Sequence, residues 1–211
     1  MNEELVLADL VRDYLNLLGS DAPAPGGGSA SAFAAAQGCA LARMVCELTK
    51  GKKKYEDSQE LVENASEELG SLCASLLSLM DEDTQAFNGV SEVFAMPKAT
   101  EEEIFLRKTA LEMALRECTK TPFRVMLLAD QALQTVSTLV GRTNASAASD
   151  LGCAALNLKA AIQGAWLNVK INTGSLRDRS FAAQYEKDGE AILSRALPLA
   201  DRIYEAVLGS L

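Results

Sequence analysis

Asp83 interrupts an apolar helical stripe. Leu72, Leu76, Leu79, Ala86 and Val90 keep a spacing of three or four once Asp83 fills the slot between Leu79 and Ala86. On a helix its neighbours one turn away on either side are Leu79, Met80, Ala86 and Phe87, all apolar. Such surroundings desolvate a carboxylate and raise its pKa toward the range useful for general acid–base work. Asp81 is flanked instead by Leu77, Ser78, Thr84 and Gln85 and reads as a rim residue. A purely structural reading of Asp83 also exists. It would pair with a buried cation, with Arg43, Arg107 and Arg124 as candidates, or it would cap another helix.

The chain has no histidine. That removes the commonest metal ligand, the usual proton shuttle and the Ser/His and Cys/His nucleophile pairs. Acid–base chemistry must then come from Asp, Glu, Lys, Tyr or Cys. Cys39, Cys46, Cys73, Cys118 and Cys153 lie in apolar surroundings with no C-x-x-C pair, so they read as reduced core thiols of a cytoplasmic protein. No metal site is expected.

Three further segments could bind a ligand. Pro23-Ala24-Pro25-Gly26-Gly27-Gly28-Ser29 stands immediately before a small-residue helix. Its glycines allow close ligand approach, and the helix start offers unpaired N–H groups to a carboxylate, phosphate or carbonyl oxygen. It lacks the G-K-[S/T] of a P-loop, and a bare triple glycine reads first as a turn with Ser29 as N-cap that lets two helices pack closely. Lys50, Lys52, Lys53 and Lys54, followed by Tyr55, form a cationic loop in an acidic chain; it would attract an anion or simply be solvated. Asn168 and Asn172 share a helix face in an apolar segment, where buried amides need partners. They would read the edge of a heterocycle or bond to neighbouring helices. Asn144, Ser149 and Asp150 precede that segment, and Ser149 or Asp150 is a natural cap for a helix beginning at Leu151.

The elements that position these residues are helices. Periodicity predicts them over 3–18, from about 29 to 48, from 57 or 58 to about 95, and over 101–118, 122–140, 151–171 and 178–208. Pro97 ends the third and Pro198 would kink the last. No strand alternation persists, and aromatics are only 5%. The expected fold is therefore all-α, a bundle of long and short helices in a single domain over residues 1–211. A net charge of −9 leaves no basic surplus for nucleic acid. The apolar stretches 29–48 and 151–172 are broken by polar residues and read as buried helices, not membrane spans. The acidic start, Met1-Asn2-Glu3-Glu4-Leu5, has no signal-peptide pattern. Helices so rich in alanine, apolar on more than one face, suggest an oligomer.

Together these segments resemble the formiminotetrahydrofolate cyclodeaminase and methenyltetrahydrofolate cyclohydrolase family along nearly the whole chain. The resemblance rests on Ala24-Pro25-Gly26-Gly27-Gly28-Ser29, the Lys-rich loop ending in Tyr55, Asp83-Thr84-Gln85-Ala86-Phe87, Met96-Pro97-Lys98, Asn144 six residues before Asp150, Ser149-Asp150, and Asn168-Val169-Lys170-Ile171-Asn172. Two places depart from the family pattern: Arg142-Thr143 separates Gly141 from Asn144, and Lys170 stands where an apolar residue is common.

The resemblance implies an all-helical homodimer with a folate pocket, no metal, and no cofactor beyond the tetrahydrofolate substrate. It implies closure of 5-formiminotetrahydrofolate to 5,10-methenyltetrahydrofolate with loss of ammonia, or opening of the methenyl ring by water. Asp83 becomes the expected catalytic group. Pro25, Gly26, Gly27, Gly28 and Ser29 would hold part of the folate. Asn144, Ser149, Asp150, Asn168 and Asn172 would bind the pterin side, and Lys52, Lys53 and Lys54 an anionic, polyglutamylated tail. A separate formiminotransferase is a candidate partner. The rival reading is a non-catalytic helical scaffold or folate-binding protein with Asp83 saturated by an arginine.

Overall fold

The computed structural model describes residues 7–211. Among them six α-helices follow one another: α1 (Leu7–Leu18), α2 (Gly27–Glu47), α3 (Gln59–Ala95), α4 (Glu101–Leu139), α5 (Ala148–Ser175) and α6 (Arg179–Leu208). Short 3-10 turns at Lys53–Ser58 and Ala145–Ala147 lead into α3 and α5. The described residues contain no strand, so the expectation of a helical bundle holds. The predicted start of the first helix, at residue 3, and the acidic start itself lie outside the described residues.

Helices α2, α3, α4 and α5 close a ring in which each packs on the next and α5 returns to α2; α6 lies outside, against α4 and α5. The ring encloses Leu69, Leu76, Leu79, Met126, Leu133, Leu158 and Ile162, all fully buried. Each such side chain contributes roughly 1.5–3 kcal/mol by leaving water. From α2 the core takes mainly alanines, Ala32, Ala35, Ala36 and Ala42, so its neighbours approach closely. At the α2–α5 contact a Cβ on Gly164 would lie 2.5 Å from Ser31 Oγ, so a side chain there would displace that hydroxyl from its bond to the Gly27 carbonyl.

The helix ends follow local chemistry. Met96 turns extended before Pro97 and stops α3. Thr100 and Glu103 form a reciprocal capping box at the start of α4. Asp178 accepts the N–H groups of Ser180 and Phe181 and starts α6, which runs on through Pro198.

Two sequence expectations are corrected. The segments 101–118 and 122–140 form one helix of 39 residues, with Pro122 inside it. A proline there leaves the carbonyl four residues back, that of Cys118, without its helical donor. The Asn172 side chain supplies one instead, Nδ2 to Cys118 O at 2.7 Å, and the helix continues. Neither Ser149 nor Asp150 caps α5; both lie inside its first turn. Asn144 caps the preceding 3-10 turn, its Oδ1 accepting the Ser146 N–H at 3.2 Å.

Candidate active site

Asp83 reaches from α3 onto the first turn of α2. That turn starts at Gly26, not at Ser29 as the sequence suggested, and Gly26 has no side chain to cap it. Asp83 does so from outside. Its Oδ2 accepts the Ser29 N–H at 2.9 Å and the Ser29 hydroxyl at 3.0 Å. The fully buried Ser29 hydroxyl also faces the Met80 carbonyl at 3.1 Å, which fixes it between α2 and α3. The capping reading of Asp83 therefore holds for one of its two oxygens.

The other oxygen, Oδ1, accepts no hydrogen bond from the described residues. It lies directly over Gly28, where a Cβ would come within 2.1 Å of it. Asp83 and Gly26–Gly28 line a cleft of about 290 Å³, with Phe87 of α3, Cys118 of α4, and Asn168, Ile171 and Asn172 of α5. Four helices thus contribute to one concave site holding one carboxylate.

Burial pushes the Asp83 carboxyl above the usual carboxylate range, and the two Ser29 bonds pull against it without cancelling the effect. The Cys118 thiol is pushed up to about 11, first by burial and then by the Asp83 charge, so it stays neutral and is no nucleophile near pH 7. The Tyr14 hydroxyl is raised too, by burial first and Asp83 second. Its ring packs on Phe33, one turn beyond Ser29, with centroids 5.3 Å apart.

Among the described residues no cation pairs with Asp83. Arg124 bonds to Glu82 on the rim, and Arg107 donates to the Val93 carbonyl at 3.1 Å. No cluster of His, Cys, Asp or Glu fit to hold a metal occurs among the described residues. No described helix is long and apolar enough to cross a membrane.

The remaining predicted site residues gather elsewhere. The Asn144 N–H donates to Thr49 Oγ1 at 2.9 Å, and the Ala145 N–H to the Tyr55 hydroxyl at 3.0 Å. Asn144 therefore meets the lysine loop, at the C-terminal end of α2 and the start of α5. Ser149 and Asp150 lie at the same end. Lys52, Lys53 and Lys54 are exposed there, and Lys54 stands 5.4 Å over the Tyr55 ring. Lys50 is tied to Glu47 at 2.6 Å. With 21 residues in α2, about 30 Å separates this group from Asp83. A single pocket holding Asp83, Asn144, Ser149, Asp150 and the lysines is thus not formed within one chain. Pro25, joined to Ala24 by a cis peptide, shapes the glycine loop, while Pro23 and Ala24 beside it line the cleft.

Sequence reasoning missed Cys118, Ile171 and Ser175 as lining residues. For Cys118 a signal existed, since it stands four residues before Pro122.

The formiminotransferase-cyclodeaminase family profile matches residues 10–191. The chain belongs to that family. A methenyltetrahydrofolate cyclohydrolase of Methylorubrum extorquens is 35% identical over 199 residues, covering 94% of this chain and 96% of that protein. The formimidoyltransferase-cyclodeaminase of Mus musculus is 32% identical over 209 residues; this chain spans only 38% of its length. The crystal structure of formiminotetrahydrofolate cyclodeaminase from Thermotoga maritima matches with a TM-score of 0.80 at 26% identity, over 94% of this chain and 96% of that one. The formiminotransferase-cyclodeaminase relatives named here are enzymes, and the Asp83 cleft lies inside the matched region.

Proposed function

We propose that this protein cyclises 5-formiminotetrahydrofolate to 5,10-methenyltetrahydrofolate and releases ammonia, with Asp83 as the proton shuttle. One observation carries the reading: a desolvated carboxylate with one oxygen anchored by Ser29 and the other open to a cleft. In the reaction N10 attacks the formimino carbon, forming the new C–N bond. The proton leaving N10 passes to Asp83 and then to the departing nitrogen. The old C–N bond breaks and neutral ammonia leaves, so the cationic amidine becomes the cationic methenyl product. A carboxyl with a raised pKa suits both halves of that transfer. Holding N10 against the formimino carbon supplies the rest, since positioning alone is worth up to roughly 7–11 kcal/mol. The Gly27 and Gly28 N–H groups, in the first turn of α2 where no helical carbonyl precedes them, would hold a ligand oxygen, and Asn168 and Asn172 the pterin. No metal is invoked.

A second reading is methenyltetrahydrofolate cyclohydrolase: Asp83 takes one proton from the water that attacks the methenyl carbon, the C–N5 bond breaks, the remaining hydroxyl proton passes to N5, and the carbon is left as a formyl group on N10. Its support is the near end-to-end match with the Methylorubrum cyclohydrolase.

The lysine loop enters through a second copy of the chain. Gln37, Ala40 and Met44 of α2, with Leu156, Gln163, Leu167 and Ile171 of α5, form an exposed face without charge, Leu167 and Ile171 being about 70% exposed. Two-fold antiparallel pairing on this face would set one copy's Lys52–Lys54 and Asn144 beside the other's Asp83 cleft, within reach of a glutamate tail. A separate formiminotransferase would supply the substrate, in the cytoplasm.

The test follows methenyltetrahydrofolate absorbance in both directions. Formation from 5-formiminotetrahydrofolate with ammonia release supports the first reading. Accelerated loss of the methenyl signal alone supports the second. Silence in both directions sinks both.

A further inference from the structure

The hydrogen bonds of Asn168 and Asn172 fix which atom of each amide faces the backbone and which is left without a donor. A carbonyl only accepts, so the Asn172 atom facing Cys118 O at 2.7 Å is Nδ2. The Asn168 atom facing Gly164 O at 2.9 Å is likewise Nδ2. One N–H of each amide is held by backbone, and neither Oδ1 receives a donor from the described residues. Both residues line the Asp83 cleft. Spaced four apart on α5, the two side chains are one turn apart on the same wall, each with an Oδ1 that has no donor among the described residues.

Pro122 makes this arrangement possible for Asn172. With any other residue at 122, the Cys118 carbonyl would take the helical N–H four residues on. The proline removes that donor inside a 39-residue helix, and the buried carbonyl is left to orient an amide 54 residues away.

We infer that Asn168 and Asn172 select a ligand edge bearing N–H donors, and that Pro122 is the positioning residue which holds Asn172 with its acceptor outward. On the folate reading, which this inference rests on, the edge is the 2-amino and N3–H side of the reduced pterin. A ligand without those donors leaves a desolvated acceptor unmatched and is rejected.

The test is equilibrium binding of 5-formyltetrahydrofolate and its 2-desamino analogue to the wild type, Asn172→Leu and Pro122→Ala. The wild type is expected to prefer the parent by at least about tenfold, the equivalent of one unmatched polar group. Asn172→Leu weakens the parent and leaves the analogue nearly unchanged, so the preference shrinks. Pro122→Ala keeps Asn172 and the helical content, returns the N–H to α4, and shrinks the preference partway. A wild type that binds both ligands equally, or an Asn172→Leu variant that keeps the wild-type preference, overturns the inference while the folate reading stands. A Pro122→Ala variant with undiminished preference overturns the positioning role. A wild type that binds neither ligand overturns the folate reading and this inference with it.

Discussion

A Cβ placed on Gly28 would lie 2.1 Å from Oδ1 of Asp83 and 2.5 Å from its carboxyl carbon. The carboxylate occupies the space that any side chain at position 28 would need. Gly28→Ala must therefore push Asp83 out of register with Ser29 and the cleft. We expect turnover to fall at least about a hundredfold, the scale of a misplaced catalytic group. Circular dichroism should show helical content unchanged. A variant with wild-type turnover would mean that the position of Asp83 is immaterial.

Ser29 pulls the proton affinity of Asp83 down, against the larger effect of burial. Its hydroxyl bond favours the ionised carboxyl, so Ser29→Ala removes a lowering influence and the pKa rises further. If ionised Asp83 accepts the first proton, the acid limb of the pH–rate profile marks its pKa and moves to higher pH. A hydrogen bond to a charged group is worth roughly 1.5–3 kcal/mol, so the shift should be about one to two pH units. An unmoved limb would assign the titration to another group.

The same raised pKa has a cost in stability. A carboxyl whose folded pKa exceeds its unfolded value favours the fold in its protonated form, and that advantage is lost as pH rises through the folded pKa. Asp83→Asn keeps an acceptor for the Ser29 N–H and removes the desolvated charge. Thermal melts should show it at least as stable as the wild type near pH 7, with any gain vanishing below the ordinary carboxylate range. A clear loss of stability at pH 7 would mean that capping by the charge outweighs its desolvation.

Asp130 and Arg195 hold α6 to the bundle away from the site. Asp130 is buried, and its Oδ2 accepts from Arg195 Nε at 2.8 Å. Among the described residues, Arg195→Ala leaves the buried carboxylate with no cation and only the Gln134 amide, at 3.1 Å, as donor. Because Arg195 is itself half exposed, the loss should lie near the lower end of the roughly 3–5 kcal/mol seen for broken buried pairs. Denaturant unfolding measures it, and a loss below about 1 kcal/mol, the range of surface pairs, would contradict this reading.

The parts of this molecule legible in the sequence are those set by neighbours on one helix. The slot of Asp83 in its apolar stripe, the helical character of nearly every segment and the stop at Pro97 all follow from local spacing. What escaped depends on distant contacts. Pro122 reads as a break because its rescue comes from Asn172, which sequence spacing does not reveal. Ser29 reads as a cap because Asp83, which caps that helix instead, arrives from another element. The lysines and Asn144 read as companions of Asp83 because order along the chain does not show that α2 holds them about 30 Å apart.

The central claim is that Asp83 moves the proton. It is tested most directly by steady-state turnover of 5-formiminotetrahydrofolate with Asp83→Asn, alongside its binding of 5-formyltetrahydrofolate. Loss of general acid–base catalysis predicts a fall in kcat of roughly 10²–10⁴ with binding retained. A folded Asp83→Asn protein with kcat near the wild-type value would contradict the account.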